Sequence, residues 1–317
     1  MSARLGTVRV WRGGLLESEH AVAWCVAAEG DVLAAARPED AGRSIVLRST
    51  AKPLQALPAV RAGVLERFDL DERHLAVGCG SHSGSEEHVA RVRELLRAAG
   101  CTERDLACGP SLPLNAALGA PRGRLRHNCS GKHALALALC VVEGWPTAGY
   151  HERTHPLQRA MRAAVGEGTG AAAEQLPGVT DGCGLSTWAV PLSGLATAFG
   201  RLGAGGLGEA GRRIAAAMRA EPPLVAYPGA LDTELMLAEP GLVAKGGAEG
   251  VFAMGLPDGR GAALKILDGN ARALGPAVVA VAREGLGLDV RATALAAFAA
   301  PVLRNSRDEV VGRLTLA

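Results

Sequence analysis

A serine and a lysine stand three residues apart where the sequence begins to favour a helix. On a helix, Ser49 and Lys52 would lie on the same face, close enough to share a hydrogen bond. A neutral lysine can take the proton of a serine hydroxyl, which makes the serine a nucleophile for acyl transfer. Because Ser-x-x-Lys is a short and common string, the alternative is a serine that caps the helix and a lysine that is solvated.

Lysine is rare in this chain, which makes each one informative. Lysine and arginine together number 34, and only four of them are lysines, namely Lys52, Lys132, Lys245 and Lys265. Arginine stays protonated in proteins, whereas a buried lysine can lose its proton and act as a base or a metal ligand. Lys265 stands in a predicted strand, where a lysine usually faces solvent. A position near the Ser–Lys pair would instead let its like charge keep one of the lysines neutral.

A glycine-rich stretch, GCGSHSG at 78–84, contains a second serine of interest, Ser81. Small residues leave the backbone bare, so successive amide groups could face a substrate oxygen. The alternative is a glycine turn in which Ser81 caps the helix that follows.

Two cysteines stand in polar, glycine-rich segments rather than in apolar ones. Cys129 lies in HNCSGKH at 127–133, and Cys183 lies in DGCG at 181–184. Thiolates are common zinc ligands, and Lys132 could add a neutral amine to them. Lysine is an unusual metal ligand, so the spacing by itself leaves other roles for the two thiols open.

The composition excludes several classes of protein. The chain has 317 residues, 48% of them hydrophobic and 21% charged, which predicts a folded domain with a full core. A net charge of +2 gives no electrostatic footprint for nucleic acid or for an acidic membrane. No apolar run reaches the roughly 18 residues of a membrane span, and the first residues do not resemble a signal peptide. With seven cysteines and no export signal, we expect a cytoplasmic protein.

The hydrophobic pattern predicts strands near both ends and helices between them. Alternating segments within 5–37 indicate a meander of strands. Helices are predicted over 86–99, 132–143, 156–165, 185–202, 208–220 and 270–285, and further strands over 241–244, 250–255 and 261–267. We therefore expect one α/β domain over 1–317, in which N- and C-terminal strands form a sheet and a helical lobe is inserted. The sheet part would comprise about 1–47 and 225–317, and the lobe about 48–224.

Six motifs occur in order along nearly the whole chain. They are RSTAKPLQ at 48–55, GCGSHSGSEEH at 78–88, HNCSGKHA at 127–134, DGCGLST at 181–187, AKGGAEG at 244–250 and ALKILDGNAR at 263–272. Together they resemble the Rhizobium-type, thermolabile L-asparaginase II family, and all four lysines fall within them. The resemblance implies a fold similar to that of serine β-lactamases and related glutaminases. It also implies hydrolysis of the side-chain amide of L-asparagine to L-aspartate and ammonia.

The resemblance implies roles for particular residues as well. By this resemblance, the catalytic residues would form two tandem pairs, Ser49 with Lys52 and Ser81 with Lys265. Cys129, Lys132 and Cys183 would hold one zinc ion per chain. Arg48, His133 and Asp181 would position the substrate or support the residues that contact it. Members of the family are usually dimeric, so a homodimer is expected.

In the mechanism that we expect, Ser49 attacks the amide carbon after losing its proton to Lys52. Ser81 relays a proton to the leaving ammonia, and water then frees aspartate. The sequence leaves open which serine attacks, and Ser81 is the alternative to Ser49.

Two other functions remain open at this point. One is a different serine amidohydrolase, of the glutaminase or penicillin-recognising type, although the S-D-N and K-T-G strings of the latter group are missing. The other is a non-catalytic, zinc-binding regulatory protein in which Cys129 and Cys183 form a structural clip. Replacing Ser49 would separate an enzyme from a binding protein, because only the enzyme would lose its function.

Overall fold

A computed structural model describes residues 5–290 and 293–317. The strands are β1 (Thr7–Arg12), β2 (Leu15–Ala28), β3 (Asp31–Ala35), β4 (Ser44–Val46), β5 (Gly178–Thr180), β6 (Ser186–Pro191), β7 (Val243–Gly247), β8 (Val251–Gly255), β9 (Arg260–Ile266), β10 (Val302–Arg304) and β11 (Val310–Leu316). The helices are α1 (Lys52–Arg61), α2 (Val64–Arg67), α3 (Glu72–Cys79), α4 (Glu86–Ala98), α5 (Ser130–Val142), α6 (Pro156–Thr169), α7 (Leu192–Ala204), α8 (Gly208–Ala220), α9 (Pro222–Val225), α10 (Leu231–Ala238), α11 (Leu274–Ala280) and α12 (Thr293–Ala299).

The main sheet combines strands from both ends of the chain. Its order is β10-β11-β1-β2-β9-β8-β7, and β3 pairs with β2 off this path. Every neighbouring pair is antiparallel, and β1 lies between the C-terminal β11 and the N-terminal β2. Helices α1 to α10 lie between β3 and β7 in the chain, so the predicted α/β arrangement with inserted helices is confirmed. Within the described residues, no helix has the length and apolar character that crossing a bilayer requires.

Two predicted helices differ from the structure. Residues 186–191, predicted as the start of a helix, form β6, which pairs with both β4 and β5 in a separate three-stranded sheet. Backbone pairing on both sides outweighs the local pattern there, and α7 begins only after Pro191. The stretch predicted as one helix over 270–285 is divided into a 3₁₀ turn, α11 and a π-helical turn.

Helix α5 forms the centre of the helical part. Eleven of its thirteen residues are buried, and a helix that is apolar on all sides belongs in a core. It packs closely on α3 at two glycines. A Cβ on Gly78 would lie 2.7 Å from Leu135 Cδ2, and a Cβ on Gly131 would overlap the Val77 carbonyl. This close approach brings the segment after α3, with Ser81, against the segment before α5.

Replacing Gly131 by alanine should therefore destabilise the protein. Helix propensity alone favours alanine over glycine by about 1 kcal/mol. The overlap with Val77 should outweigh that gain and give a net loss of about 1–3 kcal/mol in the free energy of unfolding, measured by denaturant titration. Gly109→Ala is the matched control, because a Cβ on Gly109 has no neighbour within 4 Å. Equal stability of the two variants would contradict the close α3–α5 contact.

Candidate active site

The first serine stands in a strained turn. Residues Arg48–Ala51 form a 3₁₀ turn directly before α1, and Ser49 in it is almost completely buried. Arg48 has a φ of 50°, in the left-handed region, where a non-glycine residue costs about 1–3 kcal/mol. Its Nε donates a 2.6 Å hydrogen bond to Asp181 Oδ1, and its Nη1 lies 3.9 Å from Glu249 Oε1. Strain of this kind collects at functional sites because the surrounding contacts must hold it in place.

Lys52 is completely buried and joins three segments of the chain. Its Nζ donates hydrogen bonds to Gly80 O at 2.5 Å, Ser81 Oγ at 3.0 Å and Asn128 O at 3.2 Å. Burial lowers the pKa of Lys52 to about 8. The Cys129 sulfur opposes this shift, whereas the charge of Lys245 adds to it. A substantial neutral fraction near pH 8 makes this amine suitable as a general base.

The hydrogen bond predicted between Ser49 and Lys52 is not formed. An ammonium group has three N–H donors, and Gly80, Ser81 and Asn128 accept all three. Lys52, from the first motif, therefore contacts Ser81, the serine of the second motif. Ser49 lines the same cavity as Ser81.

Lys265 does not contact Ser81, contrary to the predicted pairing. Its Nζ donates to the backbone oxygens of Glu249 and Ile266. The physical reason is its register on β9, where it lies opposite Val251 of β8, beside the turn that carries Glu249. Lys265 therefore faces a different cavity from the one that contains the two serines.

The lysine that does accompany the serines is Lys245 on β7, which the sequence analysis assigned no role. It lines a cavity of about 390 Å³ together with Ser49, Ser81 and Asn128, which we call the serine cavity. Lys245 is buried, and its Nζ lies 3.3 Å from Asp232 Oδ1 and 2.7 Å from Gly246 O. The scarcity of lysine and the AKGGAEG motif were signals that could have identified it. No sequence signal pointed to Asp232.

A second cavity of about 480 Å³, the charged cavity, adjoins the serine cavity. Two cations and two anions line it, namely Arg48, Lys265, Asp181 and Glu249. Thr187 also lines this cavity, and its hydroxyl is buried with no hydrogen-bond partner among the described residues. Arg48 lines the charged cavity, whereas the next residue, Ser49, lines the serine cavity. Likewise, Glu249 lines the charged cavity and the preceding residue, Ala248, lines the serine cavity. These two peptide segments therefore form part of the wall of both cavities.

The glycine-rich loop uses several of its amides internally. Ser81 N donates to Val225 O at 2.7 Å, and Gly84 N donates to His82 Nδ1 at 3.2 Å. The predicted row of free amides facing a substrate is therefore wrong for these positions. His82 is structural, because burial places its pKa well below the usual range and its Nε2 lies 2.9 Å from Ser130 Oγ.

Two predicted metal ligands, Cys129 and Cys183, lie in contact at one end of α5. Cys183 lies in the turn between β5 and β6, and Cys129 directly precedes α5. Their sulfurs share a hydrogen bond that lowers the pKa of Cys183 and raises that of Cys129. Lys132, the third predicted ligand, also interacts with the Cys183 sulfur and lowers the pKa of that thiol further. The neighbouring sulfurs raise the pKa of Lys132 in spite of its burial. The cluster therefore contains one thiolate, one thiol and one ammonium group.

His133 lies on the other side of the Cys183 sulfur. Its Nδ1 is 2.6 Å from Tyr150 Oη, which also accepts a hydrogen bond from Ala107 N. The Tyr150 hydroxyl can thus donate to Nδ1, which leaves Nε2 as the protonated ring nitrogen. Nε2 of His133 has no hydrogen-bond partner of ordinary geometry among the described residues. Burial lowers the pKa of His133, and the nearby Cys183 sulfur opposes this effect.

The described residues contain no group of three or more His, Cys, Asp or Glu side chains that could hold a metal. Of the three predicted zinc ligands, only Cys129 and Cys183 belong to these residue types, and the third is Lys132.

A model of the L-asparaginase II family matches residues 8–316. A solved structure of a β-lactamase from Mycobacterium bovis is 14% identical, covers 83% of this chain and 94% of that chain, and has a TM-score of 0.37. No curated protein sequence gives a significant match.

Proposed function

Because this chain belongs to the L-asparaginase II family, we propose that it is a serine amidohydrolase that converts L-asparagine to L-aspartate and ammonia. The observation that carries the serine mechanism is the contact between Lys52 and Ser81 in the wall of a cavity that also holds Ser49. A buried lysine with a pKa of about 8 is a base. Ser81, which it contacts, and Ser49 in the same cavity are hydroxyl nucleophiles that such a base can activate.

The direction of proton transfer follows from the partners of Lys52. A neutral amine has two N–H donors and one lone pair, so one of its three oxygen contacts must become an acceptor contact. Gly80 and Asn128 offer carbonyl oxygens, which cannot donate. The lone pair therefore faces the hydroxyl of Ser81.

This geometry makes Ser81 a proton relay in both directions. Ser49 attacks the amide carbon as its proton passes through Ser81 to Lys52. The C–N bond then breaks, and the proton returns through Ser81 to the leaving nitrogen. Lys245 lies in the same cavity and supplies positive charge near the developing negative charge. Water hydrolyses the ester on Ser49 by the reverse route.

The charged cavity suits the amino-acid end of asparagine. An α-carboxylate would pair with Arg48 or Lys265, and an α-ammonium group would pair with Asp181 or Glu249. Arg48 of this cavity and Ser49 of the serine cavity are consecutive residues. In the proposed binding mode, the head of the substrate lies at Arg48 and its side-chain amide reaches Ser49.

The sulfur cluster suits a zinc ion. Its two thiols are in contact, and one is already stabilised as a thiolate, which is the donor chemistry that zinc prefers. Cys129, Lys132 and Cys183 would hold the ion. When bound, zinc supplies a positive charge beside the turn that carries Asp181. The protein's own residues already provide a nucleophile and a base.

Replacing each serine should separate the nucleophile from the relay. We expect Ser49→Ala to lose acyl-enzyme formation with both L-asparagine and an activated β-aspartyl 4-nitrophenyl ester, because the attacking atom is gone. Ser81→Ala should lose about 10²–10⁴ in turnover of asparagine yet still form a trappable ester on Ser49, since nitrophenolate leaves without a proton. Peptide mass spectrometry after acid quenching identifies the modified serine.

Ser83→Ala is the matched control for these variants, because Ser83 lies in the same loop but its hydroxyl contacts His88. An acyl group found on Ser81 would reverse the two roles. Full activity of Ser49→Ala would leave a binding protein or another active site as the explanation.

The rate should depend on pH through Lys52. Burial lowers the pKa of Lys52 from 10.5 to about 8, so the amine is protonated and inactive below that pH and neutral above it. We expect kcat/KM to rise with pH with a midpoint near 8, and Lys52→Arg to be inactive because arginine stays protonated. Steady-state kinetics between pH 6 and pH 10 measure this. A midpoint near 6.5 would instead indicate a histidine as the base.

Metal content and its pH dependence test the zinc ligands. We expect one zinc per chain, lost in Cys129→Ser and Cys183→Ser but retained in Cys140→Ser, whose thiol is buried on the far part of α5. Zinc must displace protons from a thiol and from Lys132, so its affinity should fall as the pH falls. Loss of zinc should mainly raise KM. A kcat loss as large as that of Ser49→Ala would contradict an orienting role.

A further inference from the structure

The serine cavity is larger, and has more apolar lining, than hydrolysis of an unsubstituted carboxamide requires. Its polar lining residues are Ser49, Ser81, Asn128, Tyr227, Asp232 and Lys245. Its remaining wall includes the side chains Leu114, Leu231, Leu274 and Phe298, which we call the apolar collar. These four residues come from four different segments: the loop before α5, the start of α10, the start of α11 and the end of α12. None of their side chains can form a hydrogen bond.

The apolar collar lies towards the solvent end of the cavity. Each serine is only 9% exposed, whereas Leu114 is 51% exposed and Leu274 and Phe298 are partly exposed. A group that extends outward from the amide nitrogen would therefore pass these side chains. Apolar surface of this kind gains free energy when a ligand removes it from water.

Size supports the same conclusion. Pockets that bury drug-sized ligands span roughly 300–1,000 Å³, and the serine cavity alone measures about 390 Å³. In the proposed reaction, the head of the substrate occupies the charged cavity. Only the carboxamide would then enter the serine cavity, and it would leave most of the space and the whole apolar collar unused.

We propose that this enzyme hydrolyses asparagines whose side-chain nitrogen carries an apolar group, namely β-aspartyl arylamides and alkylamides. The inference rests on the proposed function, since it keeps the aspartyl acyl group and Ser49. Ser49 Oγ bonds to the carbonyl carbon, the C–N bond breaks, and the amine leaves with the proton that Ser81 delivers. Water then cleaves the ester, so that amide and water give L-aspartate and a primary amine.

The test compares N4-(4-nitrophenyl)-L-asparagine with L-asparagine on the full-length protein. Release of nitroaniline and formation of aspartate are measured side by side, and we expect kcat/KM for the anilide to equal or exceed that for asparagine. Leu114→Ser should lower the ratio of the two kcat/KM values about ten-fold, because it removes apolar contact from the aryl group only. Leu112→Ser is the matched control, because Leu112 lies in the same loop, is 61% exposed and does not line the cavity.

The outcomes separate the inference from the proposed function. Hydrolysis of asparagine without release of nitroaniline would overturn the inference and leave the proposed function standing. A ratio that Leu114→Ser and Leu112→Ser change equally would also overturn it, because the collar would then make no specific contact. If neither substrate is hydrolysed, the proposed function itself fails, and the inference fails with it.

Discussion

The burial of one ammonium group organises the site. Lys52 has no contact with solvent, and its three N–H donors are accepted by oxygens from two loops. An uncompensated buried charge is costly, so these oxygens must be held in place by the rest of the fold. The glycine contact between α3 and α5 provides this, because it brings Ser81 and Asn128 to the same side of Lys52. The same burial that costs stability lowers the pKa of the lysine towards neutrality.

Two buried lysines near the serines have different surroundings. Lys245 lies beside the carboxylate of Asp232, which balances its charge. Lys52 contacts only neutral oxygens, and the charge of Lys245 helps to lower its pKa. Lys52, with its lowered pKa, is therefore the lysine suited to act as a base. The arrangement suits acyl transfer, in which a proton is removed and a negative oxygen must be stabilised.

The strained turn at Arg48 connects this centre to the second cavity. Arg48 is held in its left-handed conformation by Asp181, which lies in the same turn as Cys183. The sulfur cluster is therefore linked to Ser49 by two short connections, the turn and the Arg48–Asp181 pair. In the proposed mechanism, this link lets the cluster position Ser49 without contacting it.

The sequence by itself determined the α/β pattern and the motifs that carry the candidate residues, because composition and hydrophobic periodicity are local properties. It predicted one site for Cys129, Lys132 and Cys183, and the side chains of Cys129 and Lys132 both interact with the Cys183 sulfur. It also named the two serines that line one cavity. It did not determine which lysine meets which serine. Lys52 was paired with Ser49 by helical spacing, but its donors are taken by groups 28 to 76 residues away. Lys245 on β7 and Lys265 on β9 lie on either side of β8, opposite Ala253 and Val251 respectively. This strand register places Lys245 in the wall of the serine cavity and Lys265 in that of the charged cavity. Such pairings depend on distances between segments far apart in the chain, and those distances exist only after the sheet and the α3–α5 contact have formed.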